Sequence, residues 1–295
     1  MESEMTELGK KVLIDVQSEI WKYYDSVSVE YEDKEKPEDT IMNFFSYLYR
    51  LIVPTERKVH YSKELLKKID LNEITEEHIE ILKKYADAFS EGKDMNIFLS
   101  NNIKEPKKPD FLLYTWHLYH LHMSGKFVEN ISQMKNNRSD TQLLCIIDMS
   151  DVYFIDVIPH PTKAEKYFNL QSLKIIEENG WMEKIGFWEM TDVIPGSLQP
   201  KITEAKDLFE LYKRGINIAF EFQGKAYAPL SQISQARKPV DVTRELFKII
   251  KKISNLDNVD GTYKGFKLCS SNEGILLGIA EFETTAGETQ IYNIF

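Results

Sequence analysis

His117, His120, His122 and His160 are four of the six histidines in this chain of 295 residues, and they lie close together in sequence. An imidazole changes its charge near neutral pH, so it can transfer protons or bind a metal ion. His120 and His122 have the H-x-H spacing, which puts both side chains on one face if the segment is a strand. This segment is therefore the first candidate site.

The residues that follow offer the other groups that metal-free cleavage of RNA requires. Arg138 precedes an apolar run, Tyr153 lies in the next run, and His160 ends it. In such cleavage a neutral imidazole takes the proton of the ribose 2′-hydroxyl, an arginine stabilises the phosphate charge, and a histidine or tyrosine protonates the leaving oxygen. This chemistry needs no metal and no cofactor. The predicted catalytic residues are His120, His122, Arg138, His160 and Tyr153.

Other interpretations of the same residues stay open. Each histidine alone is also compatible with a hydrogen-bonded place in the core. Asp148 and Asp156 are candidates to orient a histidine, although an aspartate beside a hairpin is more often a turn or edge residue. A metal-dependent hydrolase using His120, His122 and an aspartate ranks lower, because no adjacent carboxylate has the spacing of a metal ligand.

Strands are the elements that must position these side chains. The runs "LLCIID" (143–148) and "VYFIDVI" (152–158) predict two strands joined by a tight polar turn, and residues 117–123 predict a strand before them. On that strand Leu121 and Met123 face away from His120 and His122, and His117 lies on the other side. Pairing within the sheet must bring His160 to this face.

The rest of the chain predicts helices packed on antiparallel strands. In residues 74–92 Thr75 is an expected N-cap, Gly92 suits the exit, and apolar residues recur at helical spacing. Helices are also expected at 161–180, at 202–215 with Thr203 as cap, and at 242–256, with a hairpin between the last two. The connector at 101–110 marks a change of pattern. We predict an α+β fold with a helical region 1–105, a core 106–198 holding the histidines, and a helix-hairpin-helix and β region 199–295.

Composition limits the class of partner. With 47 acidic and 37 basic residues the net charge is −10, which opposes non-specific binding to DNA but suits a basic protein partner. Cys145 and Cys269 are far apart, which indicates neither a disulfide framework nor a zinc ribbon. No apolar run is long enough for a membrane span. We expect a soluble cytoplasmic protein without membrane contact.

Two resemblances follow from these segments. The stretch "NNRSDTQLLCIIDMSDVYFIDVIPHP" (136–161) resembles the C-terminal half of RelE/HigB-type toxins, compact ribonucleases of toxin–antitoxin systems, over about 25 of the 295 positions. The resemblance implies that Arg138 matches the phosphate-binding arginine and His160 the terminal histidine. The segment "DFLLYTWHLYHLHMS" (110–124) also resembles a group of uncharacterised bacterial proteins with the order D-x-L-L-x-x-W-x-x-x-H-L-H, which brings no activity with it.

The chain departs from the toxin pattern in its length and its acidic charge, since such toxins are small and basic. The residues and the resemblance together favour a metal-independent endoribonuclease of bacterial toxin or phage-defence type, with RNA as its substrate. The alternative is a non-enzymatic protein-binding or scaffold protein of a bacterial or phage system, which meets its partner through the acidic surface.

Overall fold

The protein is an α+β protein, as the sequence predicts. The computed structural model describes residues 5–127, 138–194, 196–199, 202, 204–230, 232–270 and 276–295. Its helices are α1 (Glu7–Val27), α2 (Pro37–Arg50), α3 (Lys63–Asp70), α4 (Glu76–Ser90), α5 (Phe111–Trp116), α6 (Leu170–Glu178), α7 (Ala205–Tyr212) and α8 (Val240–Asn255). Its strands are β1 (Lys58–Tyr61), β2 (Leu118–His122), β3 (Thr141–Ile147), β4 (Asp151–Pro159), β5 (Phe187–Glu189), β6 (Phe220–Phe222), β7 (Lys225–Pro229), β8 (Thr262–Ser270), β9 (Leu276–Glu283) and β10 (Thr289–Asn293).

The chain forms two compact units, and each is assembled from separate stretches of sequence. The first unit contains residues 1–49, 104–107 and 241–295, and the second contains residues 50–103 and 108–240. The three consecutive regions expected from the sequence describe the chain in a different way and stay a prediction. Within the described ranges, every helix is too short or too polar to span a lipid bilayer.

In the first unit, helix α1 packs against an antiparallel sheet with the strand order β10-β9-β8. Alternating burial along β9 gives that sheet one apolar face. The Tyr263 hydroxyl in β8 donates a hydrogen bond of 2.8 Å to the Asp15 carboxylate in α1. Contacts of this kind join the beginning of the described chain to its last hundred residues.

In the second unit the central sheet has the strand order β1-β4-β3-β2. Strands β2, β3 and β4 pair antiparallel, whereas β1 pairs with β4 in parallel. The expected hairpin of β3 and β4 is present, and its turn is closed by a 2.8 Å bond from the Asp148 amide to the Asp151 carbonyl. The sheet is thus mainly antiparallel, as predicted, with one parallel edge strand.

Both faces of the central sheet are covered, so the second unit has three layers. On one face Leu118, Leu144 and Ile155 are buried with side chains of α6, α7 and the smaller sheet. On the other face Leu121 and Phe154 are buried with side chains of α3 and α4. The period-2 alternation of β2 therefore assigns each of its residues to one layer.

The ends of the helices agree with the sequence-based predictions at α4 but differ from them at α6. Thr75 caps α4, and its hydroxyl accepts from the His78 amide, as predicted. The helix expected at 161–180 is shorter, because extended Asn169 (φ −130°, ψ 143°) caps the Ser172 amide and α6 begins only at Leu170. The expected cap Thr203 lies outside the described residues.

The smaller sheet of the second unit has the strand order β5-β7-β6. Strands β6 and β7 form the expected hairpin, and its turn residues Gln223 and Gly224 both have positive φ, at 51° and 77°. Two consecutive positive φ angles are typical of the type I′ turn, which matches the twist of a hairpin. This sheet covers part of the core beside the histidine strand.

Candidate active site

Strand β2 presents His120 and His122 on the same face of the central sheet. His120 lies opposite Leu144 of β3, and His122 lies opposite Gln142. Because Leu118 belongs to the core on that face and Leu121 to the core on the other, the alternation predicted from H-x-H holds. His117 lies before the strand, where it ends α5 in a left-handed conformation with φ 51°.

Pairing between β3 and β4 brings His160 to the same place. Thr141 pairs with Pro159, and the His160 amide donates a 2.7 Å bond to the Asp140 carbonyl. The His160 ring stacks on the His122 ring, with centroids 5.1 Å apart and 26° between the planes. The three predicted catalytic histidines therefore form one cluster.

Tyr167 belongs to this cluster and is not among the residues that the sequence predicts to be catalytic. Its ring centroid lies 4.8 Å from that of His120 and 6.4 Å from that of His160. Its hydroxyl donates a 2.7 Å bond to Oε1 of the fully buried Gln142. Burial raises the pKa of Tyr167 to about 12, so the hydroxyl stays protonated near neutral pH.

A cavity of about 280 Å³ opens beside the cluster, within the second unit. His120, His160 and Tyr167 lie in its wall. Cationic, acidic and aromatic side chains complete the lining, among them Arg50, Lys108, Lys163, Asp110, Phe111, Phe168 and Phe209. The cavity thus combines proton-transferring groups, positive charge and apolar rings, which is the mixture found in sites for small polar ligands.

The Nδ1 atom of His120 is buried and has no hydrogen-bond partner among the described residues. Burial lowers the pKa of His120, the nearby Asp110 carboxylate opposes this effect, and His160 adds to it. A neutral imidazole can accept a proton from a bound ligand at its unprotonated ring nitrogen. Buried polar atoms in folded proteins normally have a partner, which makes this nitrogen a candidate functional atom.

His122 is held differently and does not line the cavity. Its Nδ1 lies 3.1 Å from the Ser139 carbonyl oxygen and 3.3 Å from the Ser139 amide nitrogen. Burial lowers the pKa of His122 to about 4, so this ring is neutral at pH 7. The position suits a residue that packs against His160 and stabilises the end of β2.

Arg138 and Tyr153 have different relations to the cluster. Arg138 is exposed, and its charge contributes to the lowered pKa of His122, so it lies near that ring without lining the cavity. Tyr153 lies seven residues before His160 along β4, a distance of roughly 20 Å. There it stacks on His60 with centroids 4.7 Å apart. The structure therefore does not bring Tyr153 together with His120, His122 and His160, because strand geometry places it near the opposite end of β4.

The two aspartates considered as orienting groups do not contact the histidine cluster. Asp148 pairs with Lys184 at 3.1 Å, and Asp156 pairs with Lys68 at 2.7 Å. The carboxylate beside the cavity is Asp110, whose Oδ1 caps α5 by accepting from the Leu113 amide at 3.1 Å. It stands in the stretch that the sequence suggested to be a connector, and its cap position before an apolar run was the available signal.

Within the residues that the structure describes, no three or more His, Cys, Asp and Glu side chains are grouped so that they could hold a metal ion. The arrangement favours acid–base chemistry by imidazoles, with cationic side chains at the same cavity. Comparisons of the chain with protein-family models, with curated proteins and with solved structures found no match.

Proposed function

We propose that the protein is a metal-independent endoribonuclease whose active site is the histidine cavity. The observation that carries the proposal is that His120, whose buried Nδ1 has no hydrogen-bond partner among the described residues, and His160 line the same cavity. Cleavage without a metal requires two proton-transferring groups near one phosphate, together with positive charge. The cavity supplies the imidazoles, and Lys108 and Lys163 supply charge in its lining.

In the proposed reaction His120 is the base and His160 is the acid. A ring nitrogen of His120 takes the proton of the ribose 2′-hydroxyl, and the 2′-oxygen then bonds to the adjacent phosphorus. The bond from phosphorus to the 5′-oxygen breaks, and His160 gives that oxygen a proton. The products are a 2′,3′-cyclic phosphate and a 5′-hydroxyl. Exposed Arg138 would contact a flanking phosphate, which fits its position outside the cavity.

The biological setting is a proposal of its own. The resemblance of residues 136–161 to RelE/HigB-type toxins supports a ribonuclease of bacterial toxin or phage-defence type that acts on RNA in the cytoplasm. The net charge of −10 opposes long-range attraction to RNA, so binding must depend on local contacts at the cavity.

The direct test is cleavage of an end-labelled single-stranded RNA by the purified protein in the presence of EDTA. We expect fragments with 2′,3′-cyclic phosphate ends, and a fall in rate of about 100-fold or more for His120→Ala and for His160→Ala. His78→Ala is the matched control, because His78 lies on α4, outside the cavity lining, and its Nδ1 lies 3.0 Å from the hydroxyl of the cap residue Thr75. Equal survival of RNA with the wild type and with His120→Ala would refute the proposal.

The alternative is a non-enzymatic binding or scaffold protein. The contacts of His122 with the Ser139 backbone favour it, because they give that histidine a structural role. The acidic surface would then meet a basic protein partner. This alternative gains support if the wild type cleaves no RNA while His122→Ala lowers the melting temperature.

A further inference from the structure

Asp110 is the acidic residue in the wall of the cavity among the described residues. Its Oδ1 accepts a hydrogen bond from the Leu113 amide, and the residue lines the cavity. A carboxylate offers about four acceptor positions, so capping α5 leaves capacity for a ligand donor. The influence of Asp110 on the pKa values of both His120 and Tyr167 agrees with a carboxylate close to the two rings.

Aromatic rings form another part of the same wall. Phe111 lies edge-on to Phe209, with centroids 5.8 Å apart, and Phe168 lies 5.2 Å from Phe209. All three residues line the cavity with Asp110, and Phe111 is the least buried of them. An unstacked nucleobase packs well on such rings, whatever its identity. Selection between bases must then come from the polar group at the wall.

The size of the cavity limits what can enter. At about 280 Å³ it lies just below the range of about 300–1,000 Å³ that encloses small organic ligands. One unpaired base with its ribose is the part of an RNA chain that such a space can take, since paired bases are not accessible to a pocket. The substrate would be single-stranded at this position.

We infer that the cavity receives one unpaired RNA base and that Asp110 selects a base with an exocyclic amino group. This inference rests on the proposed function and names the substrate class of that site. The Asp110 carboxylate accepts a hydrogen bond from N4 of cytosine, as acidic side chains do in base recognition. Uracil places an acceptor oxygen at the same position, and two acceptors repel each other. Asp110 is therefore a specificity-determining residue.

The test compares cytidine 3′-monophosphate with uridine 3′-monophosphate by calorimetric titration of the whole protein. We expect the wild type to bind the cytidine nucleotide about tenfold or more tightly, which is the discrimination that one charge-assisted hydrogen bond gives. Imidazole NMR signals that disappear in His120→Ala and His160→Ala report whether the nucleotide binds in the cavity. Both signals should shift on addition of the cytidine nucleotide.

Asp110→Asn is the informative variant, because asparagine also caps a helix and so preserves the fold. Its amide both donates and accepts, so the preference for cytidine should fall to about twofold or less. Asp148→Asn makes the same chemical change at a residue that pairs with Lys184, outside the cavity lining, and should keep the full preference.

The outcomes separate this inference from the proposed function. Equal binding of the two nucleotides, binding without shifts of the His120 and His160 signals, no binding of either nucleotide, or full preference in Asp110→Asn would each overturn the inference, even if RNA is cleaved. Selective binding of the cytidine nucleotide in the cavity, lost in Asp110→Asn, supports it. If the protein shows this selective binding but does not cleave RNA, the cavity is a base-binding site and the proposed ribonuclease activity is refuted.

Discussion

The imidazole of His122 stacks on that of His160, with 5.1 Å between the ring centroids, and it is the more buried of the two. Protonating both rings would place two positive charges side by side, one of them in a poorly hydrated place. Acid should therefore destabilise the fold at this pair.

Stability should fall as the pH is lowered from about 6.5 to about 4. The pKa of His122 is about 4 in the folded protein, below its ordinary value of 6.5, so the unfolded chain binds this proton first. The stabilisation is complete above the unfolded pKa and is lost as the pH falls through the folded pKa; the shift corresponds to about 3 kcal/mol. Urea unfolding at several pH values measures this loss of stability.

The free energy of unfolding of His122→Gln should fall by about 3 kcal/mol less than that of the wild type over this pH window. An unchanged profile in His122→Gln would contradict the assignment.

The hydroxyl of Tyr167 should contribute to stability more than to catalysis. Tyr167→Phe keeps the ring against His120 but leaves Oε1 of buried Gln142 without its donor, and Nε2 of Gln142 already lacks a partner among the described residues. We expect a loss of about 1–3 kcal/mol in the free energy of unfolding, with RNA cleavage retained. Tyr292→Phe removes an exposed bond to Gln290 and should cost about 0.5 kcal/mol or less. Equal losses in the two variants would contradict the burial argument.

The Lys68–Asp156 ion pair should be costly to break from one side. The Asp156 side chain is 6% exposed and that of Lys68 is 34% exposed. Burial raises the pKa of Asp156 despite the lysine, so Lys68→Met would leave a buried carboxylate uncompensated. We expect the free energy of unfolding to fall by about 2–4 kcal/mol. A value near the lower limit is expected because Lys68 is partly hydrated. The double variant Lys68→Met/Asp156→Leu should recover most of it in thermal unfolding, and a double variant as unstable as the single one would argue against this cause.

Gly215 should tolerate no side chain. It has φ 69°, and a Cβ there would lie 2.7 Å from the Ser234 carbonyl oxygen. Gly215→Ala therefore combines an unfavourable backbone conformation with a clash, and we expect a loss of about 2–4 kcal/mol. Gly224 also has positive φ, 77°, but a Cβ there would meet nothing within 4 Å. Gly224→Ala should cost about 1 kcal/mol in the same denaturation experiment, and similar losses for both would show that the clash is relieved.

Local rules predicted the parts of the site that lie on one element. Alternation along a strand gave the shared face of His120 and His122, and cap chemistry gave the start of α4 at Thr75. Both depend on neighbours within a few residues, so a single sequence contains the information. The α+β class followed in the same way, from the periods of successive segments.

The remaining parts depend on contacts between distant segments. Tyr167 lies beside His120 at the end of a short 3-10 helix, Ala164–Tyr167, where the sequence predicts part of one continuous helix. Asp110 and Arg50 line the cavity from a connector and from the end of α2. The residue type of Tyr153 predicts a catalytic role, but its position along β4 places its ring against His60 instead. None of these placements follows from spacing alone, because each is fixed by packing between layers.

The bond between Tyr263 and Asp15 has a consequence for the order in which the protein can fold. The two residues are 248 positions apart, and the ribosome makes α1 long before it makes β8. Until β8 leaves the ribosome, the apolar face of α1 lacks the sheet that covers it. Exposed apolar surface of this kind binds chaperones or promotes aggregation. The whole sequence of the second unit is synthesised before β8, so this unit can fold before α1 packs against its sheet. Synthesis should therefore give a chain whose middle is native before its first helix is docked.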